Sequence, residues 1–247
     1  MKKSILMVIA LLLFPLMETM AQEAESQVGR FSIIPRVGVG LYNWSNCSLS
    51  MQDGQSMKSK YQAGFLGGVD VEYRATKEIG VSLGVYYAQQ GFRFSSYQTE
   101  TQGNANTTLE GYNNIHAKIG YVQVPLLVRA YVTRNLSLLL GVQAGFRSGN
   151  ANLKMDNTKA VIDKNDEVTV SESETIKWEW PTKKVDVSIP IGVAYEYMGV
   201  MLDLRYNLGL TNVSDISRVR DANGESYIKE NCKSKGITFT VGYRFTL

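Results

Sequence analysis

Between Lys184 and Met198 the chain alternates without a break: Val185, Val187, Ile189, Ile191, Val193, Tyr195 and Tyr197 hold one parity. Asp186, Ser188, Pro190, Gly192, Ala194 and Glu196 hold the other. A period of two is the mark of a pleated strand, whose successive side chains point to opposite faces, and helical spacing cannot produce it. The pattern recurs. Leu202, Leu204, Tyr206, Leu208 and Leu210 alternate with Asp203, Arg205, Asn207 and Gly209, and Ile237, Phe239, Val241, Tyr243 and Phe245 with Thr238, Thr240, Gly242 and Arg244. Upstream, Phe31 to Trp44, Ala63 to Arg74, Ile79 to Gly91, Ile119 to Thr133 and Leu136 to Phe146 behave alike. That predicts eight strands, each longer than the usual five or six residues.

Alternating strands most often form a soluble sandwich with the apolar parity as its core. Two features point elsewhere. The polar parity carries Arg36, Asp70, Glu72, Arg74, Arg129, Asp186, Glu196, Asp203, Arg205 and Arg244 among glycines and alanines, five acids against five arginines and no lysine. Arginine is favoured where ion pairs are buried, because its planar fork grips carboxylates, and an enclosed network must balance its charge. The connections also alternate in length. Those at Arg74 to Glu78, Thr133 to Asn135 and Met198 to Gly199 are short, whereas segments 45–60, 93–118, 148–183 and 212–235 are long and polar. Short turns on one side and long loops on the other are the pattern of outer-membrane barrels.

The N-terminus supplies the route. Lys2 and Lys3 precede an apolar run of 13 residues, Ile5 to Met17, and Thr19-Met20-Ala21 offers small residues where a signal peptidase reads. Such a run covers about 20 Å as a helix, short of the roughly 30 Å hydrocarbon core. We expect a cleaved signal peptide at 1–21, a short periplasmic segment at 22–30 and a barrel domain at 31–247. The charge is too balanced, 26 basic against 23 acidic side chains, for a dedicated nucleic-acid binder, and 44% hydrophobic content is too high for a disordered chain.

The expected fold is therefore all-β: an eight-stranded antiparallel up-and-down transmembrane β-barrel of the OmpA/OmpX type, with three short periplasmic turns and four long extracellular loops. Closure has a physical cause, since an open edge in hydrocarbon leaves backbone groups unpaired at several kcal/mol each. Aromatics near the strand ends are predicted to form interfacial girdles: Tyr42, Trp44, Tyr87, Phe92, Tyr121, Phe146, Trp178 and Trp180 on the loop side. Phe31, Tyr73, Tyr195, Tyr197, Tyr243 and Phe245 stand on the turn side.

Three segments carry a family resemblance: Tyr121-Val-Gln-Val-Pro-Leu-Leu-Val-Arg129, Leu202-Asp-Leu-Arg-Tyr-Asn-Leu-Gly-Leu210 with Thr211-Asn212, and the closing Gly242-Tyr-Arg-Phe245. Together they resemble the small outer-membrane β-barrel family typified by PorT, over about Phe31 to Leu247. The resemblance implies proteins mostly without an assigned role, some of which serve type IX protein secretion. Such barrels commonly end on an aromatic residue; this one ends Phe245-Thr246-Leu247.

Closing the barrel makes the first and last strands neighbours, which brings Cys47 and Cys232 to the same stretch of outer rim. A disulfide between them is expected in an exported protein. Asp163, Asn165, Asp166 and Glu167 group oxygen ligands but lack the glycine and distal glutamate of a calcium loop, so a hairpin turn between 160–162 and 168–170 is the preferred reading over a metal site. Asn223-Gly224 reads as a second hairpin tip. The single histidine, His116, has no serine beside it, and Ser95 or Ser96 would have to reach it in space for a lipid-modifying hydrolase. A narrow solute channel is the other alternative, opposed by the bulk of Tyr42, Leu66, Tyr86, Tyr121, Leu127 and Tyr131 inside a small barrel. The reading reached from the residues is a non-enzymatic, cofactor-free barrel in the outer membrane of a Gram-negative bacterium, contacting outer-membrane lipid and the barrel-assembly machinery. Secretion or extracellular partners would meet it through segments 45–60, 93–118, 148–183 and 212–235, and no nucleic acid is expected.

Overall fold

The computed structural model describes residues 27–50, 56–104, 106–163, 165, 167–170, 173–215 and 231–247. The predicted signal peptide, Asp166 and Asn223-Gly224 lie outside them. Fourteen strands follow in order: β1 (Phe31–Ser45), β2 (Ser48–Ser50), β3 (Ser56–Lys58), β4 (Lys60–Arg74), β5 (Ile79–Arg93), β6 (Tyr97–Gln102), β7 (Thr107–Tyr131), β8 (Leu136–Ile162), β9 (Val168–Val170), β10 (Glu174–Glu179), β11 (Val185–Tyr197), β12 (Val200–Asn212), β13 (Lys233–Tyr243) and β14 (Phe245–Thr246).

Eight of these close a ring, β1-β4-β5-β7-β8-β11-β12-β13, every pair antiparallel. The ring shuts where β1 meets β13, with Val37 opposite Val241 and Gly40 opposite Thr238. Past Arg244, β14 continues along β1 with Ile33 opposite Phe245. Burial decides between barrel and sandwich. Val37 and Val39 are 69% and 62% exposed while Arg36, next to Val37 on the same strand, is 2% exposed. The apolar parity faces out, as only a lipid-embedded wall requires.

The turns are built from local chemistry. In 75–78 the Thr76 hydroxyl accepts from the backbone N–H of Glu78 and Ile79, and in the next turn Thr133 does the same for Asn135 and Leu136. Met198 and Gly199 form the third, both at positive φ, 49° and 80°. That geometry is the two-residue type I′ hairpin turn, whose twist matches the flanking strands. The second position needs glycine twice over, because a Cβ there would also stand 2.9 Å from the Tyr243 ring.

Two strands run well past the bilayer. β7 has 25 residues and β8 has 27. Along β7 the inward parity reads Arg129, Leu127, Pro125, Gln123 and Tyr121, then Ile119, Ala117 and Ile115. The outward parity reads Ala130, Val128, Leu126, Val124 and Val122, then Lys118 and His116. The two faces exchange polarity near Gly120. β8 repeats the exchange, passing from exposed Leu138, Leu140, Val142 and Phe146 to polar Asn152 and Lys154 outside, with Ala151, Leu153 and Met155 buried inside. Below the exchange the outside is hydrocarbon; above it the outside is water, so the apolar side must turn inward.

Segments 93–118 and 148–183 are therefore not long polar loops. They are mostly strand: β6 pairs with β7 (Tyr97 opposite Tyr112), β10 with β8 (Ile176 opposite Met155) and β9 with β8 (Val161 opposite Thr169). Next to the membrane, in 115–119 and 151–155, the polar residues take the outward face and the apolar ones the inward. Segment 45–60 holds the small β2–β3 hairpin.

Candidate functional site: the lumen and its outer cap

The inward parity of five ring strands meets in the lower half of the barrel. From β1, Arg36 pairs through Nε with Asp70 of β4 at 2.9 Å and through a terminal nitrogen with Asp203 of β12 at 2.8 Å. Asp203 also receives Arg205, at 2.7 Å from Nε and 2.8 Å from Nη2. Arg129 of β7 reaches Glu72 at 2.9 Å and Asp203 at 3.6 Å. Arg244, between β13 and β14, links Glu72 at 3.2 Å to Glu196 of β11 at 2.9 Å. Tyr131 donates to Glu72 and accepts from Arg244. Four arginines and four carboxylates thus form one continuous network, with Arg36, Asp70, Glu72, Arg129 and Asp203 no more than 2% exposed. Size is what lets the charges meet: at Gly84, opposite Asp70, a Cβ would fall 2.1 Å from the carboxylate.

Two of the ten predicted lumen residues stand apart. Arg74 lies 3.2 Å above the Tyr131 ring and donates to the backbone carbonyls of Thr76 and Lys77, so it ties the network to the inner turn. Asp186 sits near the outer end of the lumen, where its carboxylate accepts from the Ser234 and Thr211 hydroxyls. The sequence pattern gave parity but not height, and these two share a face with the network at the wrong level. Met201, unremarked in the sequence, lies at its centre: its sulfur contacts Arg36 at 2.7 Å and Arg129 at 3.4 Å. It shares the parity of Asp203 and Arg205 and stands opposite Gly242, which placed it inside, but an apolar type hid it.

Above the charges the barrel is filled by Tyr42, Leu66, Tyr86 and Tyr121, all buried. A gap of about 10 Å³ among Leu66, Tyr86, Gln123, Gln143, Arg205, Asn207, Thr238 and Thr240 has room for about one water. Higher still, a second core closes the mouth. Trp44, Phe92, Phe94 and Trp180 pack ring against ring, with centroids 4.7 Å apart for Trp44–Phe92 and 5.2 Å for Phe92–Trp180, over Ile115, Ile119 and Leu153. Trp44, Phe92 and Trp180 are accordingly not girdle residues, and Tyr42 and Tyr121 also point inward. Tyr87 and Phe146 on the loop side, and the six turn-side aromatics, are exposed on the outer wall; Trp178 is exposed too, but it stands opposite Leu153 on the inward parity of β10 and is not a girdle residue.

A lipid-facing wall, a filled polar interior and a ring without edges describe a membrane barrel from geometry alone. A family model described as outer membrane protein beta-barrel domain matches residues 20–215. The chain belongs to that family. No curated protein matches it. Among solved structures it is similar to Neisserial surface protein A, at 13% identity over 87% of this chain and 97% of that one, TM-score 0.42. It is also similar to Ail, the attachment invasion locus protein of Yersinia pestis, at 12% identity over 88% and 99%, TM-score 0.39. A more distant likeness is LpxR from Salmonella typhimurium, 9% identical over 87% and 100%, TM-score 0.23.

As an outer-membrane barrel the protein has an outer rim, and the remaining candidates gather there. Cys47 and Cys232 are both buried in the cap, beside Trp44 and Val213. They stand as two thiols: that of Cys47 donates a hydrogen bond to the sulfur of Cys232, which the Ser214 hydroxyl also approaches. These contacts hold the Cys232 thiol below its ordinary range, while the donated hydrogen bond and then burial push Cys47 up. Asp163 spends its Oδ1 on the backbone N–H groups of Asn165 and Glu167, at 2.8 and 2.9 Å. It closes the β8–β9 hairpin, and among the described residues no three metal-ligating side chains assemble there. His116 lies on the outward face of β7, its Nδ1–H donating to the Asn114 carbonyl at 2.7 Å rather than meeting a serine hydroxyl.

Proposed function

We propose that this outer-membrane barrel is neither an enzyme nor a pore, and that it acts through the β-structure it raises above the membrane. The observation that carries this reading is a lumen stopped twice, by the Arg/Asp/Glu network below and the aromatic cap above. A solute would have to break several buried ion pairs to pass, each costing about 3–5 kcal/mol when one partner is lost. The working surface is then the outside of β6–β10, a rigid polar sheet on which recognition residues are held in register. The signal peptide at 1–21, with a mature chain beginning at Gln22, delivers the protein to the periplasm in this account.

Planar-bilayer recording tests the sealed lumen: the purified barrel is expected to give no stable porin-like conductance, and open-channel steps in the intact protein would refute it. The PorT-like segments favour an accessory role in type IX protein secretion. Crosslinking in intact cells should then recover secretion components with the barrel; recovery of envelope lipids and assembly factors alone would remove that role.

The cysteine pair belongs to the same reading. Transfer of two electrons and two protons from Cys47 and Cys232 to the disulfide of a periplasmic oxidoreductase would join the sulfurs and leave the oxidoreductase as a dithiol. The bond would bridge positions 185 residues apart across the closing seam, a loop for which the chain-entropy model allows up to about 5 kcal/mol.

A further inference from the structure

The outward face of the raised sheet carries a line of basic side chains. Arg93 stands directly opposite His116, His116 opposite Lys154, and Lys154 opposite Lys177, across β5, β7, β8 and β10. At about 4.8 Å between strands the four side chains are rooted within about 14 Å. Lys118 lies two residues nearer the membrane on the same face of β7. Lys154 and Lys177 are like charges directly opposite one another, an arrangement that destabilises a sheet. Among the described residues none of Arg93, Lys118, Lys154 and Lys177 is ion-paired. Acids stand nearby but do not relieve them. Asp156 is taken up by the Asn114 amide at 3.2 Å and the Thr175 hydroxyl at 2.9 Å, and Glu179 is a single charge opposite Asn152. Four cations against two acids leave a positive patch on one wall.

Height says what it faces. Val122 is the last lipid-facing residue of β7. At about 3.4 Å per residue and a tilt near 40°, Lys118 stands about 10 Å above it and the row about 15 Å. The headgroup layer of an ordinary phospholipid leaflet is only about 5–8 Å deep. An anion that reaches both levels while anchored in the membrane needs a headgroup of several sugars bearing phosphate.

We infer that Arg93, Lys118, Lys154 and Lys177 form a binding surface for the phosphorylated saccharide headgroup of an outer-leaflet lipid. The cross-strand register spaces the cations for phosphates along one oligosaccharide, and the charge repulsion that costs the free sheet is relieved when the lipid is in place. This rests on the outer-membrane reading.

The test uses the full-length barrel in nanodiscs of neutral phospholipid, titrated with lipopolysaccharide, with the same lipopolysaccharide after dephosphorylation, and with a soluble sulfated polysaccharide. The K154Q/K177Q variant is compared with K77E on the inner turn, which changes net charge equally at the opposite rim. Phosphorylated lipopolysaccharide is expected to bind wild type and K77E alike, about tenfold more weakly to K154Q/K177Q, the ratio expected for two lost surface charge contacts. Equal binding by K154Q/K177Q, or by the dephosphorylated lipid, would overturn the proposal, as would preference for the soluble polysaccharide. Failure of wild type to enter the nanodisc would instead strike the membrane reading, which the strand signature in circular dichroism and heat-modifiable mobility of both variants report separately.

Discussion

Asp203 is the carboxylate on which the lumen turns, because Arg36, Arg129 and Arg205 all converge on it. Asp203→Asn keeps the shape and removes the charge, leaving the network's four guanidinium groups against three remaining acids. We expect a loss of about 3–5 kcal/mol, read as a lowered urea midpoint of the barrel in detergent. Asp186→Asn should cost much less, since its partners are hydroxyls that an amide oxygen also satisfies; equal losses would show that the two sites are one network after all. At the rim, alkylation of the unreduced protein from cells should leave Cys47 and Cys232 unmodified and a mass 2 Da below the dithiol form; two alkylated thiols would count against the disulfide. The parity of all ten charged residues could be read from the sequence, but their grouping could not. Asp186 and Arg74 share the inward face with the others, and only the stagger between strands decides which side chains stand level.

A single strand, β7, carries opposite solvent rules at its two ends. Leu126→Arg, on the lipid face near mid-bilayer, should destabilise by about 2–4 kcal/mol and lower the yield of heat-modifiable barrel. Ile115→Ala lies inside the cap, where removal of buried methyl groups costs about 2–5 kcal/mol. Its loss should stay local, exposing 93–118 to protease while the membrane wall remains intact. Cleavage no faster than wild type would mean that the cap is not a separate packing unit. The strands inside the bilayer were readable because every second residue there is apolar and no other structure fits. The outer halves of β7 and β8 were not, although Ile115-His-Ala-Lys-Ile119 alternates just as strictly. Its apolar residues lie on the parity that is charged lower down, and a reading that fixed one parity as lipid-facing took the change of phase for the end of the strand. The same error moved Trp44, Phe92 and Trp180 to the girdle.

For the molecule as a whole, the ring has a cost in chain order. Arg36 lies opposite Gly242, so the wall closes only between the first strand and the last. Until Lys233–Tyr243 has arrived, the partly formed sheet carries two bare edges, and neither can rest in hydrocarbon with its backbone unpaired. Contacts of such sequence separation are slow to form. The seam therefore makes assembly an all-or-nothing event: the polypeptide must be kept apart from its neighbours in water until its final residues are present, and truncation at the C-terminus should abolish insertion rather than yield a smaller barrel.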